Sequence, residues 1–168
     1  MTTIARNTAR ETRIRLACPA DAAAVCAIYT PYVRDTATTF DLEPPTLEEM
    51  EQKITTILEE RPFLVAEIER TDANTASTTS RVETCDDETF AVIGYSYASP
   101  FRPRKAYLHS IETSVYLAPE AKGFGLGTRL YNALEEILRL QNVYNANACV
   151  TCIEPCFKDY VVTNEQQP

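Results

Sequence analysis

The sequence predicts an α+β domain in which helices cover a mixed sheet. Three observations carry that expectation. Short apolar runs with period two alternate with stretches of helical period, in the order β-α-α-β-β-β-α-β. The chain has 168 residues, the size of one ordinary domain, and 45% are hydrophobic against 24% charged, as in a packed globule. Of its 4 glycines, Gly123, Gly125 and Gly127 fall together between a strand pattern and a helix pattern.

Arg13 to Ala17 alternates weakly and reads as the first strand. Pro19-Ala20-Asp21 then offers a helix start with Asp21 as N-cap. Val25, Ile28, Tyr29 and Tyr32 follow at helical spacing, and Pro31 is expected to bend or end the helix. Thr36 to Pro45 is rich in threonine and proline and should be extended. A second helix opens at Thr46, where Glu49 completes a capping box, and Met50, Ile54, Ile57 and Leu58 form its apolar stripe.

Phe63 to Ile68 is the next strand, with Phe63, Leu64, Val65 and Ala66 as a continuous apolar core. Residues 71–88 hold Thr, Ser, Asp and Asn with almost nothing to bury, the composition of a disordered insertion in a hairpin connection. Phe90 to Ala98 resumes as a strand, interrupted by Gly94, and two prolines stiffen Pro100 to Arg104. From His109 to Leu117, Ile111, Thr113, Val115 and Leu117 share one face, and Glu112, Ser114 and Tyr116 share the other. A helix with Leu130, Leu134, Ile137 and Leu138 as its stripe runs to Leu140, and Ala148 to Ile153 reads as a last strand. The boundaries are therefore a flexible tail at 1–12, the domain at 13–153 and a polar tail at 154–168.

Charge and cysteine content exclude several classes. A net charge of -8 leaves no basic surplus to neutralise phosphates, so a nucleic-acid partner is not expected. No uncharged apolar stretch approaches the roughly 20 residues of a membrane helix. Without an apolar signal segment ahead of them, the 6 cysteines do not read as a secreted scaffold, and the cytoplasm is the expected compartment. Cys149, Cys152 and Cys156 form C-x-x-C-x-x-x-C, but no second pair exists and His109 is remote. Buried thiols are the stronger reading, and no metal is expected.

The glycine cluster carries the chemistry. Free backbone N–H groups at a strand–helix turn, with the positive end of the helix dipole, attract an anion and most often a phosphate. A Walker loop is absent, and a G-x-G-x-x-G fingerprint fails because Thr128 stands at its last glycine. A tight turn without a ligand remains the alternative.

Lys122-Gly123-Phe124-Gly125-Leu126-Gly127, after Val115-Tyr116-Leu117 at a strand end, resembles the acetyl-CoA loop of the GNAT N-acetyltransferase superfamily, Q/R-x-x-G-x-G/A. Thr39 to Pro45, Pro100 to Arg104, Ala106-Tyr107 and Ile111 to Tyr116 are similar to the phosphinothricin and methionine-sulfoximine N-acetyltransferases. That resemblance implies a GNAT-like acyl-CoA N-acyltransferase fold, here expected to lack the last helix and two strands. It implies acetyl-CoA as cosubstrate, a small amino-acid-like amine as acceptor and a homodimer.

By the same resemblance, Glu112 takes the proton from the amine. The backbone of Val115 and Tyr116 pairs with the pantetheine arm. Lys122, Gly123, Phe124, Gly125, Leu126, Gly127 and Thr128 hold the pyrophosphate. Phe40, Glu43, Arg102, Arg104 and Tyr107 meet the acceptor, with guanidinium suited to a carboxylate. Because the expected acceptor half is incomplete, a catalytically weak or inactive acyl-CoA-binding remnant is the second reading.

Overall fold

The computed structural model describes residues 11–70 and 89–151. The expected insertion at 71–88 and the polar tail at 154–168 lie outside the described residues. Strands β1 (Thr12–Leu16), β2 (Phe63–Glu69), β3 (Phe90–Pro100), β4 (Ser110–Leu117) and β5 (Asn145–Ala148) form one 5-stranded sheet in sequence order. The first three pairings are antiparallel and β4–β5 is parallel, so the sheet is mixed as the sequence predicts. Helices α1 (Ala22–Asp35) and α2 (Leu47–Leu58) enter between β1 and β2, and α3 (Leu126–Leu140) between β4 and β5.

The period-two alternation of β4 decides which helix each side chain meets. Thr113 contacts Tyr131 of α3 through its hydroxyl, whereas the Tyr116 ring packs edge-on against Tyr29 and Tyr32 of α1. The face holding Glu112, Ser114 and Tyr116 therefore turns towards α1, and the face holding Ile111 and Thr113 towards α3. Between sheet and helices lies a continuous core that includes Val25, Ile54, Phe63, Val65, Tyr95, Ile111, Leu130 and Leu134.

Local signals acted largely as chemistry requires. Thr46 caps α2: its hydroxyl accepts from the Glu49 N–H, and the Glu49 carboxylate accepts from the Thr46 N–H at 2.7 Å. Gly94 does not break β3. Ala66 pairs with Gly94 and Glu67 with Val92, so Ile93 is the extra residue of a β-bulge. A Cβ on Gly94 would stand 2.4 Å from Leu117 Cδ2, which is why a side chain is missing there.

Three expectations need correction. Pro31 neither ends α1 nor marks its boundary; the helix runs through it to Asp35. Asp21 is the N-cap of α1 as expected, though its carboxylate caps no N–H of that helix and instead accepts from Arg15 and from the Cys18 N–H. The expected strand at Ala148 to Ile153 starts too late: β5 is Asn145–Ala148, and 149–151 lie outside it. Cys149, read as buried, is exposed.

A candidate acetyl-CoA and amine-acceptor site

The glycine loop keeps the conformation that its composition allows. Gly123 (φ 86°) and Gly125 (φ 72°) are in the left-handed region, and Gly125 is the N-cap of α3. Nothing lies within 4 Å of a Cβ placed on either, so the positive φ, not crowding, selects glycine here. The backbone N–H groups from Gly123 through Thr128 have no hydrogen-bond partner among the described residues. They form a row of donors at the positive end of α3, open to an anion. Phe124 and Thr128 are exposed, and the Lys122 ammonium lies 4.9 Å from the centre of the Tyr32 ring.

Beside this row, β4 outruns its neighbour. The β4–β5 ladder ends at Thr113↔Ala148, yet β4 continues to Leu117. Which residues face the gap follows from the antiparallel alternation with β3. The Phe101 N–H donates to Ser110 O and the Ala118 N–H to Ile93 O, so even-numbered residues turn their backbone groups to β3. Odd-numbered ones face the other edge: Ile111 O accepts from Asn147 Nδ2, and Leu117 O from the Tyr32 hydroxyl. Val115 thus presents its N–H and C=O to the gap, while Tyr116 turns its backbone to β3. A strand-like amide chain has room to pair there.

Glu112 stands opposite Ser99 on β3 and Asn147 on β5. It is half-buried, and its carboxylate makes no hydrogen bond among the described residues. On the same face stand Ser99, Tyr97, Tyr95, Ser114 and Tyr116, with Tyr95 stacked on Tyr116 at 5.2 Å. Burial, then the neighbouring Tyr97, pushes the Tyr116 hydroxyl up to about 12, so it stays protonated at neutral pH.

Two clefts adjoin the acceptor residues that the sequence nominates. The larger, about 520 Å³, is lined by Tyr29, Asp41, Glu43, Met50 and Lys53 among others. The Tyr29 hydroxyl donates to Asp41 at 2.6 Å and pins the α1–α2 connection to α1. Glu43 lines this cleft; Phe40 does not, and is 96% exposed. Arg102, Arg104 and Tyr107 line a separate cleft of about 210 Å³. Tyr107 packs edge-on to Phe101, and Arg102 lies over the same ring.

Sequence reasoning missed Tyr29, Asp41, Lys53 and Tyr97 as lining or flanking groups. A signal existed for Lys53. It sits three residues after Met50 and four before Ile57, so a cation interrupts the apolar stripe of α2.

Comparison with known proteins agrees with this geometry. Residues 39–152 match the Acetyltransferase (GNAT) family. The phosphinothricin N-acetyltransferase of Streptomyces coelicolor is 34% identical over 138 residues, 82% of this chain and 71% of that protein. That of Streptomyces viridochromogenes is 30% identical over 141 residues, 84% of this chain and 66% of the other. The crystal structure of a GNAT superfamily phosphinothricin acetyltransferase from Sinorhizobium meliloti in complex with acetyl-CoA superposes with a TM-score of 0.66 at 33% identity. It covers 82% of this chain and 64% of its own, so this chain spans about two thirds of that relative's length. With its matched segment, its mixed sheet and its glycine loop at the head of α3, the chain belongs to the GNAT family of acetyltransferases.

Proposed function

We propose that this chain transfers acetyl from acetyl-CoA to the amine of a small amino-acid-like acceptor, of the phosphinothricin or methionine-sulfoximine type. The observation that carries the reading is the meeting of two open hydrogen-bonding surfaces. One is the edge of β4 beyond Thr113, with the Val115 backbone unpaired towards β5 among the described residues. The other is the row of free N–H groups from Gly123 to Thr128. An amide-bearing arm with a pyrophosphate at its end matches both, the arm lying along Val115 and the phosphates on the row.

The chemistry then needs a neutral amine beside the thioester. The amine nitrogen bonds to the acetyl carbonyl carbon, the carbon–sulfur bond breaks, and CoA leaves as the thiolate, which takes up a proton from solvent. The proton lost by the nitrogen passes to Glu112, directly or through a water. Its place suits that role: a half-buried carboxylate without another hydrogen-bond partner among the described residues, on the face turned to α1. The acceptor lies in the cleft beside Tyr29, Asp41 and Glu43, and Arg102, Arg104 and Tyr107 shape a neighbouring entrance. The names of the Streptomyces relatives support an amino-acid-like acceptor. We propose further that the working form is a homodimer, which sedimentation of the purified chain tests. The function is tested by thiol release from acetyl-CoA with a panel of amines. Amine-dependent release supports it; CoA binding without release points instead to an acyl-CoA-binding remnant.

A further inference from the structure

Lys53 is a cation in an unusual place. It projects from α2 into the larger cleft, whose other charged lining groups, Asp41, Glu43 and Glu49, are all acidic. Its side chain is half-buried, yet it makes no ion pair among the described residues. Instead the ammonium donates to the Tyr97 hydroxyl at 3.1 Å and lies 4.6 Å from the centre of the Tyr97 ring. The acids of the cleft are partly spent elsewhere: Asp41 on Tyr29 and Glu49 on the Thr46 cap.

A half-buried ammonium held by a hydroxyl and a ring, with no counter-ion, retains most of its attraction for an anion. Its location gives that attraction a use. Tyr97 lies opposite Ser114 and Ser99 opposite Glu112, so Tyr97 and Glu112 are diagonal neighbours on one sheet face, with α carbons typically about 7–8 Å apart. The cation on Tyr97 and the carboxylate of Glu112 thus flank one patch of sheet. A small molecule carrying an amine and an anion a few bonds apart spans that patch, its amine towards Glu112 and its anion towards Lys53.

We infer that Lys53 is a specificity-determining residue that reads the carboxylate of the acceptor. The inference rests on the acetyl-transfer reading above and names the residue that sets an α-amino acid apart from neutral amines or polyamines. Arg102 and Arg104 lie exposed in the separate smaller cleft.

The test compares L-methionine sulfoximine with its α-carboxamide, in which the carboxylate charge is removed. Both are assayed for acetylation, and both are titrated calorimetrically in the presence of CoA, against wild type, Lys53→Met and Lys53→Arg. Methionine keeps the apolar stem, and arginine keeps the charge should methionine perturb packing. Wild type should favour the amino acid through KM. In Lys53→Met, KM and Kd for the amino acid should rise about tenfold or more, with the carboxamide and CoA values unchanged. Lys53→Arg should keep the preference.

Equal losses for both compounds in Lys53→Met, or an unaltered preference, would overturn the inference while leaving acetyl transfer intact. Lys53-dependent binding of the amino acid without turnover would support the inference and defeat the acetyl-transfer reading alone. If wild type binds neither compound, the inference falls.

Discussion

The Tyr32 hydroxyl donates to the Leu117 carbonyl at 2.7 Å, tying α1 to the last residue of β4 where that strand has outrun β5. The same ring lies 4.9 Å from the Lys122 ammonium and packs edge-on against Tyr116. One tyrosine therefore joins α1, the open edge of β4 and the start of the glycine loop. Leu117 O also has its hydrogen bond, so the free edge beyond Thr113 is confined to the groups before it.

Tyr32→Phe should separate these roles. The ring contacts survive, but the Leu117 carbonyl loses its donor, at a cost of about 1 kcal/mol in urea unfolding. Because the end of β4 is then less firmly placed, CoA should bind about three- to tenfold more weakly by calorimetry. Full stability with unchanged CoA affinity would show that the bond positions nothing.

Gly125 provides a sharper test of the phosphate row. A β-branched side chain is strained by roughly 1–2 kcal/mol in the left-handed region, and relieving that strain turns the neighbouring N–H groups away. Gly125→Val should weaken CoA binding at least about tenfold. Gly125→Asn, which accepts that conformation, should lose much less. Equal affinities for the two variants would remove backbone conformation as the reason for glycine.

Arg15 holds the sheet edge in the first place. Its guanidinium makes two contacts of 2.8 Å to Asp21 and a third of 2.8 Å to Glu67, and both carboxylate residues are buried. Arg15→Met would leave buried Asp21 without a cation and Glu67 with Arg13 alone, and removing one partner of such a network typically costs about 3–5 kcal/mol. A loss of that size in urea unfolding is expected. A change below about 1 kcal/mol would mean that Arg13, already on Glu67 at 2.6 Å, replaces it.

The helices and the first four strands were legible because their signals are local. The Thr46 capping box, the Leu130–Leu134–Leu138 stripe and the alternation of β4 each state an element within its own residues. β5 was not legible, because its pairing is decided by partners. Asn145–Ala148 has little intrinsic strand preference, and the Val and Ile of the neighbouring run have more. The strand forms where the Tyr144 N–H reaches His109 O, and where Asn147 both donates to Ile111 O and accepts from Thr113.

The site divides the same way. The glycines could be named from one turn, whereas Glu112 and Val115 were named through the family resemblance of one strand. Lys53 acquires meaning only when α2 packs beside β3 and its ammonium meets Tyr97. Pro31 misled for a related reason. A lost intrahelical bond is a local cost, but Val25, Ile28 and Tyr29 are buried against the core and tertiary packing keeps α1 continuous.

The central claim is that Glu112 removes a proton from an amine acetylated at this site. Thiol release from acetyl-CoA with L-methionine sulfoximine or phosphinothricin, measured for wild type and Glu112→Gln, tests it most directly. Glutamine keeps the shape of the side chain but cannot take the proton. Release should depend on the amine in wild type and fall roughly 100-fold in the variant, with CoA affinity unchanged. Amine-dependent release at the wild-type rate in Glu112→Gln would contradict the account.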